Sequence, residues 1–222
     1  MTVTTVLFDV GETLVDETRQ WEGWARWLGV PPSWFFAALG AAIERGALHT
    51  DVFAALDHPD IDVAAERERR LDAGDPDEFD ERDLYPDARA CLDALTRQGL
   101  TVGIAANQPA HREAVVRRLF PGVDVVLLSG ALGVEKPAPE FFDRALAALS
   151  IDDSAEVAYV GDRLDNDVLP ALEAGMVGVH LRRGPWGVIH AMRPEAARAS
   201  VRIDGLAELA DALAGLSGGR PG

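Results

Sequence analysis

Short apolar runs rich in β-branched residues recur along this chain, and helical patterns separate them. No other feature narrows the possible folds so far. Val3 to Val10 reads as a strand that turns at Gly11, Thr101 to Ala106 as a second and Val123 to Ser129 as a third. Val157 to Gly161 and Val177 to Leu181 follow, and Val201 to Ile203 is a candidate sixth. Between them lie the amphipathic stretch Ala88 to Gln98, stopped at Gly99, a helix near Pro139 to Leu149, and another from Asp167 to Ala174, stopped at Gly175. Strands that alternate with helices predict an α/β protein with a parallel sheet covered on both faces.

One block breaks the alternation. From Asp16 to about Leu84 no strand is legible, and Trp21 to Leu28, Ser33 to Arg45, Asp51 to Leu56 and Val63 to Leu71 all read as helices. The chain is therefore expected to form a Rossmann-like core from 1–15 and 85–216, with 16–84 inserted as a helical cap. The Gly-rich stretch 217–222 is expected to be a flexible tail. Within the cap, Trp21, Trp24 and Trp27 share a helix face loosely and are read as packing residues, as are Trp34, Phe35 and Phe36.

The charge balance excludes some roles. A formal net charge of −16 over 222 residues repels nucleic acid and anionic membranes, so neither is an expected partner. Small phosphorylated substrates remain compatible, because a bound metal inverts the local field. A single cysteine, Cys91, rules out an internal disulfide or thiolate cluster, and its apolar neighbours Ala88, Leu92 and Leu95 mark it as a buried structural thiol. No signal-peptide pattern or membrane-length apolar run is present, which points to a cytoplasmic protein.

In open parallel sheets, ligands gather at the carboxyl ends of the strands. Asp9 follows the first strand, Asn107 the second and Asp162 the fourth, while Lys136 lies after the third. Two carboxylates and a fixed ammonium suit phosphoryl transfer: carboxylates hold Mg²⁺, and metal and ammonium neutralise the transferring group. The five histidines show no metal-ligand spacing and receive no role. Arg182 to Gly187 reads as a structural loop.

These residues resemble the motifs of haloacid dehalogenase-like (HAD) hydrolases over roughly Val3 to Trp186. Asp9-Val10-Gly11-Glu12-Thr13 is similar to the first motif, Val102 to Asn107 to the second, Lys136-Pro137 to the third, and Gly161-Asp162-Arg163-Leu164-Asp165-Asn166-Asp167 to the fourth. The resemblance implies a C1-type cap and a Mg²⁺-dependent phosphatase acting on a small phosphorylated metabolite. Asp9 would be the nucleophile that forms an aspartyl-phosphate, and Lys136 would hold Asp9 and the phosphate. Mg²⁺ would sit on Asp9, the carbonyl of Gly11 and Asp162, with Asp167 in support and Asn107 facing the phosphate oxygens.

Two departures matter. Gly11 stands where the family has a second aspartate, its general acid and base, and Ala106 stands where it has a hydroxyl. Acid–base help is worth about 10²–10⁴-fold and one stabilising donor about 10²–10³-fold. Against a total rate enhancement of up to about 10²¹ for such reactions, these losses lower activity without forbidding it. They favour good leaving groups, slow the second half-reaction, and leave two alternatives: a weak or inactive HAD-fold binding protein, or a haloacid dehalogenase-type hydrolase. Retention of Asp162 and Asp167 argues for metal and phosphate over carbon–halogen chemistry. A phosphonate-cleaving mechanism needs a cap lysine, and Lys136 is the only lysine. Glu12 and Asp16 are the carboxylates nearest in sequence to the missing acid.

Overall fold

The computed structural model describes residues 2–47 and 50–218. Two compact units emerge, one from Met1–Val15 with Leu84–Gly222 and one from Asp16–Asp83.

The larger unit is built on a six-stranded parallel sheet: β1 (Thr5–Phe8), β2 (Thr101–Ala106), β3 (Val125–Leu128), β4 (Val157–Gly161), β5 (Val177–Leu181) and β6 (Val201–Ile203), in the order β3-β2-β1-β4-β5-β6. β1 is paired on both sides, Thr5 to Phe8 lying level with Thr101 to Ile104 on one flank and Val157 to Val160 on the other. Every residue of β1, β4 and β5 is buried, which explains why these strands read as largely apolar runs rather than alternating ones. The helices of this unit are α5 (Ala88–Arg97), α6 (Glu113–Leu119), α7 (Ser129–Leu132), α8 (Pro139–Leu149), α9 (Leu169–Glu173), α10 (Gly184–His190) and α11 (Leu209–Gly218). Phe141, Phe142 and Ala145 of α8 bury one side of that helix in a cluster with Leu7, Ala105 and Tyr159. The strand order reverses direction at β1 and β4, so their carboxyl ends border the crevice where such sheets take ligands.

The smaller unit holds α1 (Thr18–Trp27), α2 (Pro32–Glu44), α3 (Asp51–Ala55) and α4 (Val63–Asp72), close to the four helical patterns of the sequence. Its core is aromatic: Trp24 meets Phe53 edge-on at 5.0 Å and Phe35 meets Phe53 at 6.1 Å. Arg70 is buried with its guanidinium 4.7 Å from the centre of the Trp24 ring and 3.2 Å from Asp75. Asp62 caps α4 by accepting from the amides of Ala64 and Ala65.

Three expectations need correction. Trp34 is 64% exposed, not core: three aromatic residues in a row on α2 point about 100° apart, so they cannot all face inward. The segment read as a loop at Arg182 to Gly187 turns into α10, whose start is marked by Pro185 in its first turn and by Gly184 at φ +64°. Ser217 and Gly218, assigned to the flexible tail, instead close α11, while 219–222, like His49, lie outside the described residues. Among the described residues no helix is long and apolar enough to cross a membrane.

Candidate active site

The sheet delivers four chemical groups to one point. Asp9 continues β1 by one residue, its amide bonding the carbonyl of Val160 at 2.9 Å, and Asp162 leaves β4 directly alongside. From the loop beyond α7, Lys136 places Nζ 2.8 Å from Asp9 Oδ1 and 2.6 Å from Asp167 Oδ1. The Lys136 and Asp167 side chains have no solvent exposure, whereas Asp9 keeps 13%, which makes it the reachable member of the trio. Lys136 Nζ also lies 5.3 Å from the centre of the Tyr159 ring, a favourable place for a buried cation.

Asp167 is held at both carboxylate oxygens. Oδ1 meets Lys136, and Oδ2 accepts from the backbone amide of Arg163 at 3.1 Å, closing the turn into a π-helical segment, Leu164–Val168. The approach depends on Gly161, because a Cβ at that position would lie 2.4 Å from Asp167 Oδ2. Asp167 thus reaches the centre through Lys136 and the turn.

Asn107 is oriented differently from the expectation that it faces phosphate. Its Nδ2 donates to the carbonyl of Lys136 and its Oδ1 accepts from the Lys136 amide, both at 2.8 Å. A primary amide offers a donor and an acceptor side by side, the pattern needed to pair with one residue's backbone. The side chain therefore fixes the lysine loop. Ala106, where a hydroxyl was absent from the pattern, ends β2 as a buried methyl, and Gly11 sits in a tight turn bridged to Val15.

Three carboxylates and one ammonium leave the centre rich in negative charge. Burial pushes the Asp162 carboxyl well above its usual range, and the nearby charges of Asp167, Asp9 and Glu12 push it further. Burial likewise raises Asp167 to about 6, opposed by the Lys136 ammonium and reinforced by Asp9. For Lys136 burial acts to lower the value, but the charges of Asp167 and Asp9 overcome it and hold the ammonium well above its ordinary pKa. Carboxylate oxygens of Asp9, Asp162 and Asp167 lie within 4.8 Å of one another. Asp162 Oδ2 is buried with no hydrogen-bond partner among the described residues. An oxygen-only donor set with an orphaned, buried carboxylate oxygen fits a hard divalent cation such as Mg²⁺.

Glu12 has a specific setting. It is a non-glycine residue at φ +50° and is almost wholly buried. Its Oε2 accepts from the Tyr85 hydroxyl at 2.5 Å, and Arg183 stacks 4.1 Å from the centre of that tyrosine ring. Gly184 leaves room for it, since a Cβ there would lie 2.5 Å from Glu12 Oε2. Glu12 is therefore a buried, hydrogen-bonded carboxylate and not a solvated one.

Two residues given no role in the sequence touch the centre's frame. His180 Nε2 lies 3.0 Å from the carbonyl of Asp162, and His190 Nδ1 lies 3.0 Å from the amide of Leu164. His180 carried a local signal, being the one polar residue in Val-Gly-Val-His-Leu. His190 carried none, because its partner is 26 positions away.

Residues 3–175 match a family model described as haloacid dehalogenase-like hydrolase. The chain is 37% identical over 105 residues to a glyceraldehyde 3-phosphate phosphatase of Methanopyrus kandleri, covering 46% of this chain and 45% of the relative. It is also 37% identical over 137 residues to a phosphoserine phosphatase of Thermus thermophilus, covering 59% and 52%. The chain thus spans about half the length of the curated relatives it matches. A structure of the HAD-hydrolase YfnB from Bacillus subtilis bound to magnesium superposes with a TM-score of 0.70 at 20% identity, covering 96% of this chain and 99% of that one, a likeness of fold.

Proposed function

We propose that this chain, which belongs to the haloacid dehalogenase-like hydrolase family, is a Mg²⁺-dependent phosphatase of a small phosphorylated metabolite with Asp9 as nucleophile. The observation that carries the reading is the buried Lys136 held between Asp9 and Asp167 beside an unpartnered Asp162 oxygen. The phosphatase names of the two relatives support the same substrate class.

In this reading the Asp9 carboxylate attacks phosphorus and the bond to the leaving oxygen breaks. The leaving oxygen departs with the electron pair and takes a proton from solvent, since residue 11 offers no acid. Water then attacks phosphorus and gives up a proton to solvent, the bond between phosphorus and Asp9 breaks to return the carboxylate, and phosphate is released. Lys136, 2.8 Å from Asp9 Oδ1, aims the nucleophile. Asp9, Asp162 and the Gly11 carbonyl, supported by Asp167, would hold Mg²⁺, which would supply charge neutralisation for the transfer when bound. Asn107 contributes by fixing Lys136. The helical unit 16–83 serves as a C1-type cap that selects the substrate.

Gly11 and Ala106 favour acyl and aryl phosphates over alkyl ones and give low turnover, because no side chain at residue 11 protonates the leaving group. Phosphate release from p-nitrophenyl phosphate and acetyl phosphate, with and without Mg²⁺, tests the assignment. Asp9→Asn abolishes the activity. Undiminished release in that variant overturns the nucleophile, and EDTA-resistant halide release from a 2-haloacid replaces the reading with a dehalogenase. A second reading, a catalytically weak binding protein, draws support from the same two replacements. It gains if Gly11→Asp with Ala106→Ser raises turnover by about 10² or more.

A further inference from the structure

The turn that carries Asp162 out of β4 faces a backbone problem. Asp162 has left the sheet ladder, and Leu164 opens a π-helical segment whose first amides have no partner earlier in that helix. Both residues are almost fully buried, so an unpaired carbonyl or amide there would be costly. Two side chains from distant elements meet the need. His180, inside β5, donates from Nε2 to the Asp162 carbonyl at 3.0 Å, and His190, the last residue of α10, accepts at Nδ1 from the Leu164 amide at 3.0 Å. Both rings are 1% exposed.

The two bonds define the chemistry each ring supplies. A carbonyl can only accept, so His180 is protonated at Nε2. An amide can only donate, so His190 is unprotonated at Nδ1. The bonded atoms lie on the residue bearing the orphaned carboxylate oxygen and two residues beyond it, so the pair brackets the backbone that aims Asp162.

We infer that His180 and His190 are positioning residues for the divalent-cation site: they hold the Asp162 turn in its binding geometry from β5 and α10. The inference rests on the metal reading above and adds two residues outside the family-like motifs to it. Outer partners that orient ligands are typically worth about 10–100-fold in metal affinity.

A crossed pair of substitutions separates positioning from packing. The amide nitrogen of Gln reaches where a histidine Nε2 sits, and the side-chain oxygen of Asn reaches where Nδ1 sits. His180→Gln and His190→Asn therefore keep the needed donor and acceptor, while His180→Asn and His190→Gln, of like polarity, misplace them. Mg²⁺ titrated into each metal-free protein by calorimetry is the readout, with thermal melts in EDTA alongside. The expected result is wild-type affinity to within about threefold in the matched variants and a loss of about 10–100-fold in the swapped ones at similar melting temperature. Equal affinity in matched and swapped variants overturns the histidine assignment and leaves the phosphatase reading standing. So does an affinity loss seen only where the fold is lost. A wild-type chain that takes up no Mg²⁺ overturns the metal reading and this inference with it.

Discussion

Replacing Lys136 with methionine removes the cation and keeps an unbranched chain of similar length, so the variant isolates charge from packing. In the native centre Nζ touches Asp9 at 2.8 Å and Asp167 at 2.6 Å with no exposure to water. Deleting one partner of such a buried ion pair costs about 3–5 kcal/mol. For a chain of this size each kcal/mol shifts the melting temperature by about 2–4 °C, so a drop of roughly 6–20 °C is expected in EDTA near neutral pH. The pH dependence has a definite sign. Asp167 titrates at about 6 when folded, above the ~3.9 of an unfolded aspartate. A carboxyl with a raised folded value contributes its stability below the unfolded pKa and loses it as pH rises through the folded one. Lys136 is the main group holding Asp167 down, so its removal lifts the folded value further. The deficit of Lys136→Met relative to wild type is therefore widest above the variant's further-raised Asp167 value and narrows as pH falls toward about 6, the wild-type folded value. Added Mg²⁺ also narrows it by neutralising the remaining carboxylates. Melts across that range with EDTA and with Mg²⁺ check both statements. A deficit under about 1 kcal/mol at neutral pH, or one that grows on acidification, refutes the charge argument.

Other consequences are as direct. Gly161→Ala puts a methyl 2.4 Å from Asp167 Oδ2; it is expected to cost about 1–3 kcal/mol in chemical denaturation and to weaken Mg²⁺ uptake. Asn107→Ala leaves the amide and carbonyl of Lys136 without their side-chain partners, lowering stability by about 1–3 kcal/mol and phosphatase turnover with it, and unchanged kinetics would show that the lysine loop holds itself. Cys91 is buried and its thiol is pushed up to about 12 by burial, so a disulfide reagent at pH 8 reacts with it only as fast as the chain opens, and a stoichiometric burst in native buffer would contradict that.

Much of the scaffold was legible because burial on both faces leaves an unmistakable record. β1, β4 and β5 carry apolar residues at consecutive positions, and the residue after β1 and after β4 is in each case a carboxylate. α10 was less legible: its first residue, Gly184, is at φ +64°, and its start coincides with room made for Glu12, a demand set by tertiary packing. Asp9, Lys136 and Asp162 could be singled out because strand ends and residue chemistry are local properties. The partners that set their geometry are not local. Asn107 turned from the substrate to the Lys136 backbone, 29 positions away, and His190 found Leu164 at 26. Glu12 could be named as a nearby carboxylate, but its bond to Tyr85 spans 73 positions and left no trace in the motif.

The chain has a single lysine among 21 cationic residues, and that lysine is the buried one. The other 20 of those residues are arginines, which amine-directed reagents leave alone. Acylation of a side-chain amine can thus take place at one atom only, Nζ of Lys136, and only in molecules whose Asp9 and Asp167 contacts have come apart. The rate at which such a label enters Lys136 is a clock for opening of the centre, readable by intact-mass measurement, and any ligand that holds the centre closed slows it.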